Sequence, residues 1–163
     1  MTRPLPILVS AASPTSAEAL DVSLRYYEDI VGRYYGRPAS RQEVLDAQAG
    51  YPSMDLVPPT GLLLLARQGA AVLGCAGMRV RPGEIGEVTR VFVAPAARGH
   101  GVGRLLMEDL ERRSRGLGLH ALRLDTRSDL LEARGLYASL GFAEVEAHNT
   151  DPYANHWFRK ELL

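Results

Sequence analysis

Between Ala97 and Leu106 the chain reads ARGHGVGRLL, with glycine at 99, 101 and 103. Arg98 precedes the glycines, Arg104 follows them, and an apolar, helix-like run starts directly after. A helix start presents unpaired amide N–H groups and about half a positive charge. Residues without a Cβ let an anion approach those amides, and the two arginines can add charge-assisted contacts. Residue types and spacing therefore point to a phosphate or diphosphate cradled by Arg98, Gly99, His100, Gly101, Val102, Gly103 and Arg104. His100 enters this reading through its backbone more than its ring.

Spacing argues against two common phosphate loops. A Walker loop needs Lys followed by Ser or Thr after its last glycine, and here Gly103 is followed by Arg104 and Leu105. A dinucleotide fingerprint G-x-G-x-x-G meets Arg104 or Leu106 where its third glycine belongs. Asp125 lies at the distance where that fingerprint places its acidic residue, but the loop follows a run of antiparallel strands rather than the first strand of a βαβ unit.

The elements that must carry this loop are legible in outline. Residues 5–10 read as a strand. Ser13 and Pro14 offer a helix start, and Leu20, Leu24, Tyr27 and Val31 recur at helical spacing as far as Tyr35. A second helix is expected over 41–49, then a loop rich in proline and glycine. Three apolar or alternating runs, 61–67, 71–80 and 86–95, read as a meander. The loop leads into a helix with Val102, Leu105, Leu106 and Leu110 on one face. A strand at 120–126 and a helix at 129–142 follow, the helix capped by Ser128 or Asp129 and stopped at Gly141. Runs at 142–147 and 156–162 complete the order β-α-α-β-β-β-α-β-α-β-β. The fold class is a mixed α/β sheet, mostly antiparallel, flanked by helices.

The whole chain is consistent with one domain over residues 1–163. Formal charge is zero, with 19 basic and 19 acidic residues, so the basic surplus of a nucleic-acid binder is missing. Cys75 is the only cysteine, which rules out an internal disulfide and a thiolate cluster within one chain. His120, His148 and His156 lack metal-ligand spacing, and no metal is expected. No run reaches the ~20 apolar residues of a membrane span, and the N-terminal apolar stretch is short for a signal peptide. A cytoplasmic protein is expected, monomer or homodimer.

RGHGVG fits the pattern [RQ]-x-x-G-x-[GA], and in this it resembles the acyl-CoA pyrophosphate loop of the GCN5-related N-acetyltransferases, the GNAT family. The resemblance extends through EVTRVFVAPAARGHGVGRLL, LRLDT and ARGLYASLGF with its L-Y-x-x-x-G-F ending, to DPYANHWFRKEL, over roughly residues 61–162. One departure is Leu130, which stands where many members carry an asparagine seven residues before the helical tyrosine. The resemblance implies acetyl-CoA as co-substrate and transfer of its acyl group to a primary amine, on a small molecule or peptide, by direct attack in a ternary complex. It implies Glu87 as general base and Tyr137 as donor to the leaving thiolate. It also implies that the strands flanking the loop splay apart, freeing the amides of Val91, Phe92 and Val93 to hold the pantetheine and polarise the thioester carbonyl.

The chemistry explains why these residue types are needed. A lysine-like amine has a pKa of ~10.4, so near pH 7 only about one molecule in a few thousand is neutral. A base must take its proton, and partial burial would raise Glu87 toward that task. A phenol at ~10 and a thiol at ~8.5 are close enough to share a proton. His148, Asn149, Asp151 and Tyr153 fall where the family builds acceptor contacts, and the pairs Tyr26–Tyr27 and Tyr34–Tyr35 are candidates for the same pocket. A non-catalytic acyl-CoA sensor and a toxin acetylating aminoacyl-tRNA are the alternative functions on this fold.

Overall fold

A computed structural model describes residues 3–162; Met1, Thr2 and Leu163 of the expected span lie outside the described residues. Seven strands form one sheet: β1 Ile7–Ala11, β2 Gly61–Gln68, β3 Ala71–Arg81, β4 Ile85–Val93, β5 Ala121–Thr126, β6 Ala143–Val145 and β7 His156–Glu161. Their order is β1-β2-β3-β4-β5-β7-β6, with β4 and β5 parallel and all other neighbours antiparallel. Four helices complete the chain: α1 Ala17–Tyr35, α2 Arg41–Gly50, α3 Val102–Gly116 and α4 Leu131–Ser139. The expected element order is found. A single 3-10 turn at Pro95–Ala97 joins β4 to the glycine loop.

Both faces of the sheet are covered, and β2 shows how. Leu62, Leu64 and Ala66 join a core with Met78, Val88, Leu106, Leu110, Leu122, Leu124 and Phe158, while Leu63 and Leu65 join a second one with Ala19, Val22, Cys75 and Phe92. Strand side chains alternate between faces, so a strand buried on both reads as a continuous apolar run. On α3, Leu105 is the exception to the expected stripe: it is exposed and Met107 is buried in its stead.

The start of α1 differs from expectation. The cap is Ser16, whose Oγ accepts from the Ala19 amide at 3.2 Å, and Ser13 instead supports the turn before it. Leu20 and Leu24 face solvent while Ala19, Val22 and Tyr27 are buried. One residue rotates a helix by about 100°, so neighbouring stripes of small and large apolar residues compete, and the sheet selects the small ones that let α1 approach closely. On α4, Leu130 occupies the cap position with no side-chain bond. Asp129 is held by Arg127 at 2.9 Å, and Ser128 pairs with His156 at 3.0 Å, so neither expected residue caps the helix.

Two features of β4 open the sheet. Its ladder to β5 runs only from Ile85–Ala121 to Glu87–Arg123, although β4 continues to Val93 and β5 to Thr126. In addition, the β3–β4 register shifts between Cys75 and Gly77, and Arg90 adopts a left-handed φ of 57°. Gly74 permits that bulge, since a Cβ there would stand 2.3 Å from the Phe92 carbonyl oxygen. Beyond Glu87 the β5-facing edge of β4 therefore has no strand partner, and the two strands part into a cleft.

Candidate active site

The cleft is the floor of a cavity of about 1310 Å³. A site for one small molecule usually measures about 300–1,000 Å³, so this space suits two substrates side by side. It is lined by Val91, Phe92, Val93 and the loop residues Arg98, Gly99, Gly101, Val102, Gly103 and Arg104, and also by residues of α1, the α1–α2 region, Asp125 and the segment before β7.

The helix start at the loop differs from the others. Helices α1 and α2 have serine caps and an acidic residue in the first turn. Helix α3 has neither: Gly101 caps it at φ 80° with no side-chain bond, and its first turn holds no acid. Its first amides are thus left unpaired at the cavity wall. A Cβ on Gly99 or Gly101 would meet nothing within 4 Å, so the protein leaves open the space where a ligand's phosphates would approach. Gly103 has a second reason for its identity, because a Cβ there would press on Leu136 of α4 at 3.0 Å.

Both loop arginines also make contacts within the protein. Arg98 turns back into the protein, donating from Nε to the Val93 carbonyl at 3.0 Å and pairing with Asp29 of α1 at 3.1 Å. It holds the loop against β4 and α1, and its charge is already answered. Arg104 bonds Ser139 of α4 at 2.8 Å and is half exposed. His100 is exposed and lies outside the cavity wall.

At the centre of the cleft, Tyr137 of α4 packs on Phe142 and Phe158, with ring centroids 5.8 and 6.0 Å away. It lines the cavity, and its hydroxyl bonds no other group among the described residues. Burial pushes its pKa well above the usual phenol value. A phenol raised in this way keeps its proton and has it available to donate.

Glu87 lines the cavity between two arginines. Burial acts to raise its pKa, but the hydrogen bond and charge of Arg81, with the charge of Arg123, outweigh burial and set it below the ordinary carboxylate value. The pairs measure 3.0 Å to Arg81 and 3.3 Å to Arg123. Arg123 faces Glu87 directly in the β4–β5 ladder.

The carboxylate with the opposite electrostatics is Asp125 of β5, which lines the same cavity as Tyr137. No cation pairs with it among the described residues. Burial raises its pKa, the charges of Asp151 and Glu87 add to the rise, and a hydrogen bond from Asn149 opposes it. Asn149 donates to Asp125 at 2.7 Å while its own oxygen accepts from Trp157 Nε1 at 3.0 Å and the Asp151 amide at 3.2 Å. Those two donors fix which way the Asn149 amide points, and so fix Asp125. Sequence reasoning placed Asn149, Asp151 and Tyr153 near the acceptor, and all three line the cavity; His148 does not. Tyr26, Tyr27, Tyr34 and Tyr35 also stand in the wall.

One cavity thus brings together a helix start without a side-chain cap, a buried phenol and a partly buried carboxylate. The comparisons with known proteins give the chain's family. Residues 24–142 match the model of the acetyltransferase (GNAT) family, and the chain belongs to that family. It is 38% identical over 127 residues to an IAA acetyltransferase of Azospirillum brasilense, across 76% of this chain and 78% of that protein. It is 33% identical over 145 residues to an uncharacterised N-acetyltransferase of Schizosaccharomyces pombe, across 86% and 88%. Among solved structures, Salmonella typhimurium YncA, determined with acetyl-CoA, shares the fold at a TM-score of 0.64 and 20% identity, across 96% and 94% of the two chains. The protein is an N-acetyltransferase with acetyl-CoA as its co-substrate. No helix among the described residues is long and apolar enough to cross a membrane.

Proposed function

We propose that the protein transfers an acetyl group from acetyl-CoA to a primary amine by direct attack, with both substrates in the cleft at once. The observation that supports this is one cavity whose wall includes Asp125, Tyr137 and the start of α3, which has no side-chain cap. The α3 amides hold the diphosphate. The β5-facing amides in the Val91–Val93 stretch hold the pantetheine and polarise the thioester carbonyl. Asp125, the stronger base of the two carboxylates, takes the N–H proton as the C–N bond forms and the C–S bond breaks. Tyr137 donates a hydrogen bond to the departing thiolate, which takes its proton from solvent. Glu87 neutralises and orients Arg81 and Arg123 beside the reacting centre. The described chain supplies no nucleophile at this point to carry the acyl group, which supports the ternary route. The same catalytic pair argues against a sensor that only binds acyl-CoA, and the zero net charge against an acceptor on tRNA.

Thiol release from acetyl-CoA across a panel of amines tests the reading: release that depends on the amine is expected. Tyr137→Phe keeps the ring and removes the donor. It should lower kcat about 100-fold with acetyl-CoA, and far less with a thioester whose thiol is more acidic. Equal activity of Tyr137→Phe with every thioester would give the hydroxyl a structural role only.

A further inference from the structure

Among the described residues, every arginine of the cavity wall has a carboxylate partner except Arg90. Arg33, Arg79, Arg81, Arg98, Arg104 and Arg127 are paired with Glu132, Asp55, Glu87, Asp29, Glu108 and Asp129. Arg90 is only 7% exposed. It donates to the Tyr51 carbonyl, to Ser53 Oγ from Nε at 3.3 Å and Nη2 at 3.0 Å, and to Thr89 Oγ1 from Nη1 at 3.4 Å. All of these acceptors are neutral, and they leave one Nη1 hydrogen unused. The faces of Tyr27 and Tyr26, 5.3 and 5.9 Å from the guanidinium carbon, offer weak compensation.

A buried charge without an opposite charge is costly. A non-glycine residue with left-handed backbone is strained, and such strain gathers where a ligand is held. Both statements apply to Arg90, and the bulge that strains it is what seats its side chain under α1. Tethering the α1–α2 region to β4 requires donors but no charge, so a tether alone leaves the guanidinium unexplained. Two further donors stand beside it in the cavity wall: the Thr89 hydroxyl and the Tyr26 hydroxyl, which bonds no other group among the described residues. Arg90 lines the same cavity as Asp125 and Asp151, so a cationic and an anionic group stand in one wall.

Resting on the transfer reading above, we infer that the acceptor is an amino acid or a compound of that class, carrying a carboxylate as well as its amine. The amine meets Asp125 and is acetylated; the carboxylate meets Arg90 Nη1 with the hydroxyls of Thr89 and Tyr26. The product is the N-acetylated acid with its carboxylate unchanged.

The test compares amino acids with their own carboxamides, pairs that share a side chain and differ in charge at one end, with kcat/KM expressed per unprotonated amine because the carboxylate raises the pKa of its neighbouring amine. In the wild type, kcat/KM for the acid should exceed that for the amide by about 10- to 100-fold, the range expected of a charged hydrogen bond in a buried site. Arg90→Met should bring the ratio near one, and Arg90→Lys should restore part of it. Equal kcat/KM for acid and amide in the wild type would overturn the proposal, as would a ratio that survives Arg90→Met. Because Arg90→Met removes a buried tether, the wild-type comparison is decisive if that variant does not fold. Binding is read separately: with coenzyme A present, the acid should raise the melting temperature more than the amide, and equal shifts overturn the proposal even without turnover. Failure of the transfer reading shows elsewhere, as the absence of any shift with acetyl-CoA itself.

Discussion

Replacing Asp125 by asparagine is expected to lower kcat about 100- to 1000-fold near pH 7 while acetyl-CoA still binds. Asparagine keeps the shape and can still accept from Asn149, so the fold has no reason to change. What it loses is the capacity to take a proton. The sign of the pH dependence follows from the raised pKa of Asp125. The carboxylate must be ionised to act, so wild-type kcat/KM should fall as pH drops through a value above the usual range for aspartate. In Asp125→Asn that acid limb should vanish, leaving a rate that climbs with pH as the amine deprotonates unaided. Glu87→Gln should behave differently. It unties Arg81 and Arg123 but removes a carboxylate whose pKa already lies low, so its loss should be smaller and its acid limb should persist. A larger loss in Glu87→Gln than in Asp125→Asn, with loss of the acid limb, would return the base to Glu87.

The second large effect is expected at Gly101. Valine there must hold a left-handed φ near 80°, which costs roughly 1–2 kcal/mol for an L-residue, and its branched Cβ stands in the open space before the α3 amides. Acetyl-CoA affinity should fall about 100-fold or more, which corresponds to about 2.7 kcal/mol of binding free energy. Gly101→Asn separates the two causes. Asparagine tolerates the left-handed region, so ligand-free stability should stay near wild type while affinity still drops, because its Cβ occupies the same space. Calorimetric titration with acetyl-CoA, beside melting of the free variants, checks both. Unchanged affinity in a folded Gly101→Asn would mean that the diphosphate does not approach this turn.

The parts of the site that lie within one short stretch were legible. The glycine spacing at 99, 101 and 103 and the tyrosine of L-Y-x-x-x-G-F each carry their meaning locally, in backbone freedom and in helical position. The parts built from distant residues were not. That Asp29, on the first helix, pairs with Arg98 is not written near Arg98. Nor is it written near Glu87 that the register sets Arg123 opposite it and Arg81 beside it. Asp125 carries no local signal of its surroundings, because burial shifts it first and its partner Asn149 stands in the segment before β7, oriented by Trp157 and the Asp151 amide. The same limit governed α1: Leu20 and Leu24 make the stronger apolar stripe, and only the sheet decides that Ala19 and Val22 face inward.

If the turn at Gly99–Gly103 and the cleft behind it hold acetyl-CoA, as proposed, the melting temperature with candidate ligands shows it most directly. A ligand bound only to the folded state adds RT ln(1 + [L]/Kd), about 2.7 kcal/mol at a hundredfold excess over Kd. Acetyl-CoA should raise the melting temperature in a concentration-dependent way, coenzyme A should do so as well, and NAD and ATP at the same concentrations should move it little. A larger shift with NAD or ATP than with acetyl-CoA, or none with acetyl-CoA at millimolar concentration, would contradict the account.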